Sequence, residues 1–133
     1  MRKPNLYVHF CTPTTLLRLG AQVSQREHFH AQGARPFICN GQVELDGLWW
    51  YLLVPCFSRP TPYRTLLPPS AKRGDEAWVN RDTAIDLRQL WLVPLRALDG
   101  SRLCGAVITE AIEPQMHSLR AYTKHAFPGC RFR

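Results

Sequence analysis

Between Arg35 and Ser58 the chain reads RPFICNGQVELDGLWWYLLVPCFS, two apolar-rich arms around Asp46-Gly47. An Asp-Gly pair accepts the positive φ angles of a type I′ turn, so this pattern predicts a β-hairpin. Side chains alternate along a strand, so Trp49 and Tyr51 belong to one face and Trp50 to the other. The longest apolar run, Leu48 to Phe57, suits a buried strand and is too short to span a bilayer. The arms run antiparallel, so their far ends become neighbours. Arg35 and Ser58 lie about 11 to 12 residues from the turn and meet at the open end, beside Arg59.

The rest of the chain predicts short elements. Leu6 to Phe10 reads as a strand. Thr12 is a suitable helix N-cap, Pro13 fits the first helical position, and Gly20 stops that helix. Residues 21–34 are polar and read as a loop. Residues 59–76 are rich in proline, which argues against regular structure there. Glu76 to Asn80 predicts a short strand. Ala84 to Val93 fits strand or helix, with LWLVP a strand from Leu90 onward. Leu95 to Asp99 continues as a short extended segment, and Arg102 to Thr109 as another strand. Glu113-Pro114 opens a helix whose apolar stripe is Met116, Leu119, Tyr122 and Ala126. No repeat or linker interrupts the pattern. The expectation is one domain over residues 1–133, mainly β in an α+β arrangement: a small antiparallel barrel with short helices near both termini.

Charge narrows the partners. Seventeen Lys and Arg against ten Asp and Glu leave a formal net charge of +7, which favours polyanions such as nucleic acid. Arginine far outnumbers lysine, which suits phosphate contacts and base stacking, and equally a GC-rich genome. The five cysteines include no Cys-x-x-Cys, so neither a disulfide framework nor a zinc knuckle is expected. No signal peptide or membrane span is read, and a reducing cytoplasm is the expected compartment.

The order LYVHF, TPTTLLRLG, ARPFICNGQVELDGLWWYLLVPCFS, then AIDLRQLWLVPLRALDGSRL and a final helix, resembles the MazF/PemK-like toxin superfamily and, within it, the ToxN-like type III toxins. The likeness covers most of the chain and rests on pattern and short motifs. It implies an SH3-like barrel and a metal-independent endoribonuclease without a cofactor, acting on single-stranded RNA. An antitoxin, either RNA or a small acidic protein, would restrain it, in a homodimer or a toxin–antitoxin complex. Arg35 would match the family's Arg-Pro strand start. Ser58 would match the hydroxyl residue ending the second strand. The family's Thr-Ser pair is Phe57-Ser58 here, so one hydroxyl is lost.

Metal-free RNA cleavage uses the ribose 2′-OH as nucleophile and needs a base, an acid and cations. Arg35 and Arg59 are candidates for the cationic role, and Ser58 for a hydrogen bond to phosphate. His28 and His30, on the polar loop before the hairpin, are candidates for acid or base. Arg59, Tyr63, Arg64, Lys72 and Arg73 are candidates for RNA binding, with Tyr63 offering a ring for stacking. Each has an ordinary reading too: exposed surface arginines, a turn-capping serine, solvated loop histidines. His9 reads as structural. His117 and His125 share a helix face without a third ligand, so no metal site is expected. A non-catalytic nucleic-acid- or protein-binding module on the same scaffold is the alternative, and an adaptor of a mobile element a weaker third.

Overall fold

The computed structural model describes residues 6–24, 33–59 and 64–133. Ten strands, all paired antiparallel, carry two α-helices, α1 (Pro13–Arg18) and α2 (Glu113–Ala126). The strands are β1 (Leu6–Cys11), β2 (Gln22–Val23), β3 (Arg35–Leu45), β4 (Leu48–Phe57), β5 (Thr65–Leu67), β6 (Lys72–Arg73), β7 (Thr83–Ile85), β8 (Trp91–Pro94), β9 (Arg102–Val107) and β10 (Arg131–Phe132). The main path runs β2-β8-β4-β3-β1-β9-β6, with β10 beside β3 and with β7, itself paired to β5, beside the end of β4. This path does not return on itself: the described strands make an open, mainly antiparallel sheet rather than a closed barrel.

The predicted hairpin is the centre of the fold. Asp46 and Gly47 both take positive φ, 54° and 77°, as a type I′ turn requires. From Leu45↔Leu48 to Gln42↔Tyr51 the pairing is regular. A bulge at Asn40-Gly41 then shifts it, and it resumes as Cys39↔Leu53 through Phe37↔Pro55. Gly41 permits the bulge with φ 93°, and Asn40 Nδ2 donates to the Ile38 carbonyl at 3.0 Å. The extra residue moves every later partner by one.

Strand β4 serves two neighbours. Trp50 to Leu53 pair with β8, whereas Cys56 and Phe57 pair with β7. Pro55, which has no N–H to give a ladder, lies at the changeover.

The continuous apolar runs are explained by burial on both faces of the sheet. Ile38, Val43, Leu52, Leu90 and Leu92 join a core with Leu119 of α2. Phe37, Leu53, Trp91 and Val93 join a second core with Leu16 of α1. Phe37 and Trp91 meet edge to face with centroids 5.5 Å apart. As expected from alternation, Trp50 is buried while Trp49 is exposed.

Several expectations are corrected. Residues Ala77–Asn80 form a 3-10 turn, not a strand, with Val79 buried and two turn carbonyls satisfied by the Val79 and Arg81 amides. Leu95–Leu98 is likewise a 3-10 turn, which turns Ala97 and Leu98 inward together. The proline-rich segment holds strands β5 and β6 and a 3-10 turn over Pro69–Ala71, because its prolines flank Thr65–Leu67 rather than interrupt it. On α2, Thr123 takes the inward position given to Tyr122, which is exposed; Thr123 Oγ1 donates to the Leu119 carbonyl at 2.6 Å. No helix among the described residues is long and apolar enough to cross a membrane.

Candidate functional site

The open end of the hairpin borders a cavity of about 320 Å³. Four short segments wall it: Ala34 to Pro36 at the start of β3, Cys56 to Ser58 at the end of β4, Trp78 in the 3-10 turn, and Arg81 to Thr83 entering β7. Arg35 and Ser58, the pair expected to meet, both face this space. They do not sit opposite each other in the ladder. With the pairing resumed at Phe37↔Pro55, two further residues place Arg35 across from Phe57. Cross-strand partners share a face, and the Arg35 guanidinium lies 5.0 Å from the centre of the Phe57 ring. Ser58 reaches the cavity because the strand has ended and the chain bends there.

A second guanidinium comes to the same ring. Arg64 lies 3.7 Å from the Phe57 centroid, and its Nη1 donates to the Arg59 carbonyl at 2.9 Å. Burial lowers the pKa of Arg35, and the neighbouring Arg64 charge lowers it further. Burial also lowers Arg64, with Asp86 opposing the shift. Both remain cations at any physiological pH. Two like charges held against one ring favour an anion between or beside them.

The floor is fixed by Lys72. Its side chain is buried, and Nζ donates to the Trp78 carbonyl at 3.0 Å, to Thr83 Oγ1 at 2.7 Å, and to the Arg81 carbonyl. All three ammonium protons are thus committed, and burial lowers its pKa. The expectation that Lys72 binds RNA is therefore corrected: it ties together the turn that carries Trp78 and Arg81. Gly105 lets this turn approach β9. A Cβ there would lie 2.6 Å from the Arg73 carbonyl and 2.9 Å from the Trp78 ring. The Trp78 indole N–H donates to the Cys104 carbonyl at 2.7 Å.

The remaining expected residues separate. Arg59 is exposed and outside the cavity lining. Arg73 is also outside the lining and turns back to donate to the Ser70 and Lys72 carbonyls at 3.1 and 2.8 Å. His28, His30 and Tyr63 lie outside the described residues. Cys56 lines the cavity, but burial pushes its thiol up to about 12, so it offers no thiolate at neutral pH. His9, read as structural, hydrogen-bonds within the fold: Ser101 Oγ donates to the Leu98 carbonyl at 2.7 Å and accepts from His9 Nδ1 at 2.9 Å. No group of three or more metal-ligating side chains occurs among the described residues.

Three lining residues had no signal as a site in the sequence: Trp78, Arg81 and Asp82. They come from a segment more than twenty residues beyond the hairpin and reach it through β7, a three-residue strand. An Arg-Asp pair ahead of a short strand was their only mark. Together the walls offer cations, a hydroxyl, an indole surface and one carboxylate, a set suited to a phosphodiester and its base. No protein-family model matches the chain, and neither a curated protein nor a solved structure matches it at a significant level.

Proposed function

We propose that this cavity binds single-stranded RNA and that the protein cleaves it without a metal ion. The observation that carries the proposal is the convergence of Arg35 and Ser58 on one cavity, with Arg81 adding positive charge at its wall and Arg64 stacked on the lining residue Phe57. In the reaction the ribose 2′-oxygen bonds to phosphorus and the bond to the 5′-oxygen breaks. The products are a 2′,3′-cyclic phosphate and a 5′-hydroxyl. A base takes the 2′ proton and an acid supplies one to the leaving oxygen; His28 and His30 are the sequence's candidates for these roles. Arg35 and Arg81 stabilise the charge that builds on the phosphoryl oxygens, and Ser58 donates a hydrogen bond to one of them. The resemblance to MazF/PemK-like toxins supports the same reading and adds an antitoxin as the partner.

Incubation with a short synthetic RNA in excess chelator, with products identified by mass, tests this. Cleavage to cyclic-phosphate ends, lost in Arg35→Ala and weakened in Ser58→Ala, is the expected result. An intact RNA, or an Arg35→Ala protein as active as the parent, overturns it.

One observation favours a second reading, a non-catalytic RNA-binding module. Phe57 replaces a hydroxyl of the family pattern, and its ring is a seat for two guanidiniums. Salt-dependent binding of RNA that stays intact identifies that case.

A further inference from the structure

A groove for a polyanion gains from every cation on its walls and loses from every carboxylate. Asp82 lines this cavity beside Arg35 and Arg81, and it is the one carboxylate in the described lining. Among the described residues no cationic side chain forms a salt bridge with it. Its side chain is exposed and within electrostatic reach of Lys72, while the residues on either side of it are held. The Arg81 carbonyl before it and the Thr83 hydroxyl after it both accept from the buried Lys72 ammonium. An exposed carboxylate at this wall can accept from a hydrogen-bond donor on the ligand.

Trp78 shares the cavity, and its indole N–H is already spent on the Cys104 carbonyl. What remains of it for a ligand is the part of the ring surface not covered by Gly105 or by Lys72, whose Nζ lies 5.5 Å from the ring centre, and ring surface is the usual partner of an unpaired base. The other ring, Phe57, is occupied by Arg64 at 3.7 Å.

An ionised carboxylate only accepts hydrogen bonds. Guanine alone presents two adjacent donors, N1–H and N2–H, on its Watson–Crick edge. Adenine and cytosine place an acceptor nitrogen next to their amino group, and uracil flanks its one N–H with two carbonyls. We propose that Trp78 and Asp82 form a base-recognition subsite that selects guanine, stacked on the indole and held through its N1–H and N2–H by the carboxylate. This rests on the RNA-binding reading of the cavity, and it makes Asp82 a specificity residue rather than a participant in proton transfer.

The test uses uridine-rich oligoribonucleotides with 2′-fluoro riboses, which cannot be cleaved, and one central G, A, C, U or inosine. Binding is measured by fluorescence anisotropy with the full chain and with Asp82→Asn, Asp82→Glu and Trp78→Leu. Wild type is expected to bind the G oligonucleotide about tenfold more tightly than the A, C and U ones, the size of one bidentate base contact. Inosine, which lacks the N2 amino group, falls between. Asp82→Asn brings all five within about twofold and strengthens A, C and U, because a repulsive charge has gone. Asp82→Glu keeps G first, and Trp78→Leu weakens all five together.

Equal affinity for all five overturns the subsite while leaving the RNA groove standing. The same follows if Asp82→Asn keeps the G preference, or if it abolishes cleavage of unmodified RNA without changing that preference, which would make it a proton carrier. Absence of binding to any oligonucleotide overturns the groove and the subsite together. The inosine series needs no altered protein, so misfolding of a variant does not blur the answer.

Discussion

The two ends of the β3–β4 hairpin use arginine in opposite ways. At the turn end, β10 lies against β3, with Arg131 opposite Glu44. Arg131 pairs with that carboxylate, and Arg133 donates to Gln42 Oε1 at 2.7 Å while resting over Trp49. These cations meet acceptors supplied by the fold. At the open end, Arg35 and Arg64 are brought to one ring, where the Arg64 charge adds to the burial that lowers the pKa of Arg35. The same residue type closes a surface at one end and lies beside a cavity at the other. What separates them is the setting of each guanidinium: side-chain acceptors on β3 at the turn end, a shared aromatic ring at the open end.

The bulge makes the open end what it is, so its removal should have the largest effect. Deleting Gly41 restores a one-to-one ladder and turns Phe37 and Ile38 to each other's faces. Loss of about 3 kcal/mol or more is expected from the two misplaced core side chains, read as failure to unfold cooperatively on heating. A deletion variant of native thermal midpoint would show that the register is set elsewhere.

Next in size is Arg35→Ala. Cleavage should drop by about 10²–10³-fold, as for other transition-state charge donors, and the salt dependence of RNA binding should fall by about one unit of slope. Arg131→Ala, at the other end, should change neither. Equal losses from both variants would erase the distinction between the two ends.

Lys72→Met takes the donor from one buried and two part-buried acceptors. About 2–3 kcal/mol of stability should go, measured by denaturant titration, with RNA affinity falling because the Trp78–Asp82 turn loosens. A variant that kept its stability and lost RNA binding would return Lys72 to the role of a phosphate contact.

The smallest effect concerns His9. Burial holds its pKa below 6.5, so the unfolded chain binds more protons in the window just under that value. Stability therefore rises with pH through this window and is lost as pH falls through the folded pKa. His9→Gln should flatten the acid side of the stability profile just below pH 6.5. RNA binding should be unchanged, since His9 does not line the cavity.

Much of the fold was legible because local chemistry agreed with it. Asp46-Gly47 states its turn, alternation separates Trp49 from Trp50, and Glu113-Pro114 opens α2. The readings that failed lacked length. Two apolar residues at Trp78-Val79 cannot display a period, and neither can the three among Leu95–Leu98, so a 3-10 turn and a strand look alike there. Lys72 read as a surface cation because nothing local shows that its ammonium will find three acceptors six to eleven residues away.

By itself the sequence determined the hairpin, the mainly antiparallel α+β class and the nearness of Arg35 to Ser58, because turn geometry and side-chain alternation act within a few residues. Only the tertiary structure decided that Arg35 faces Phe57, that the sheet path stays open, and that Trp78, Arg81 and Asp82 complete the cavity. Those outcomes depend on a one-residue bulge and on a buried ammonium joining separate segments, and such contacts are formed across space rather than along the chain.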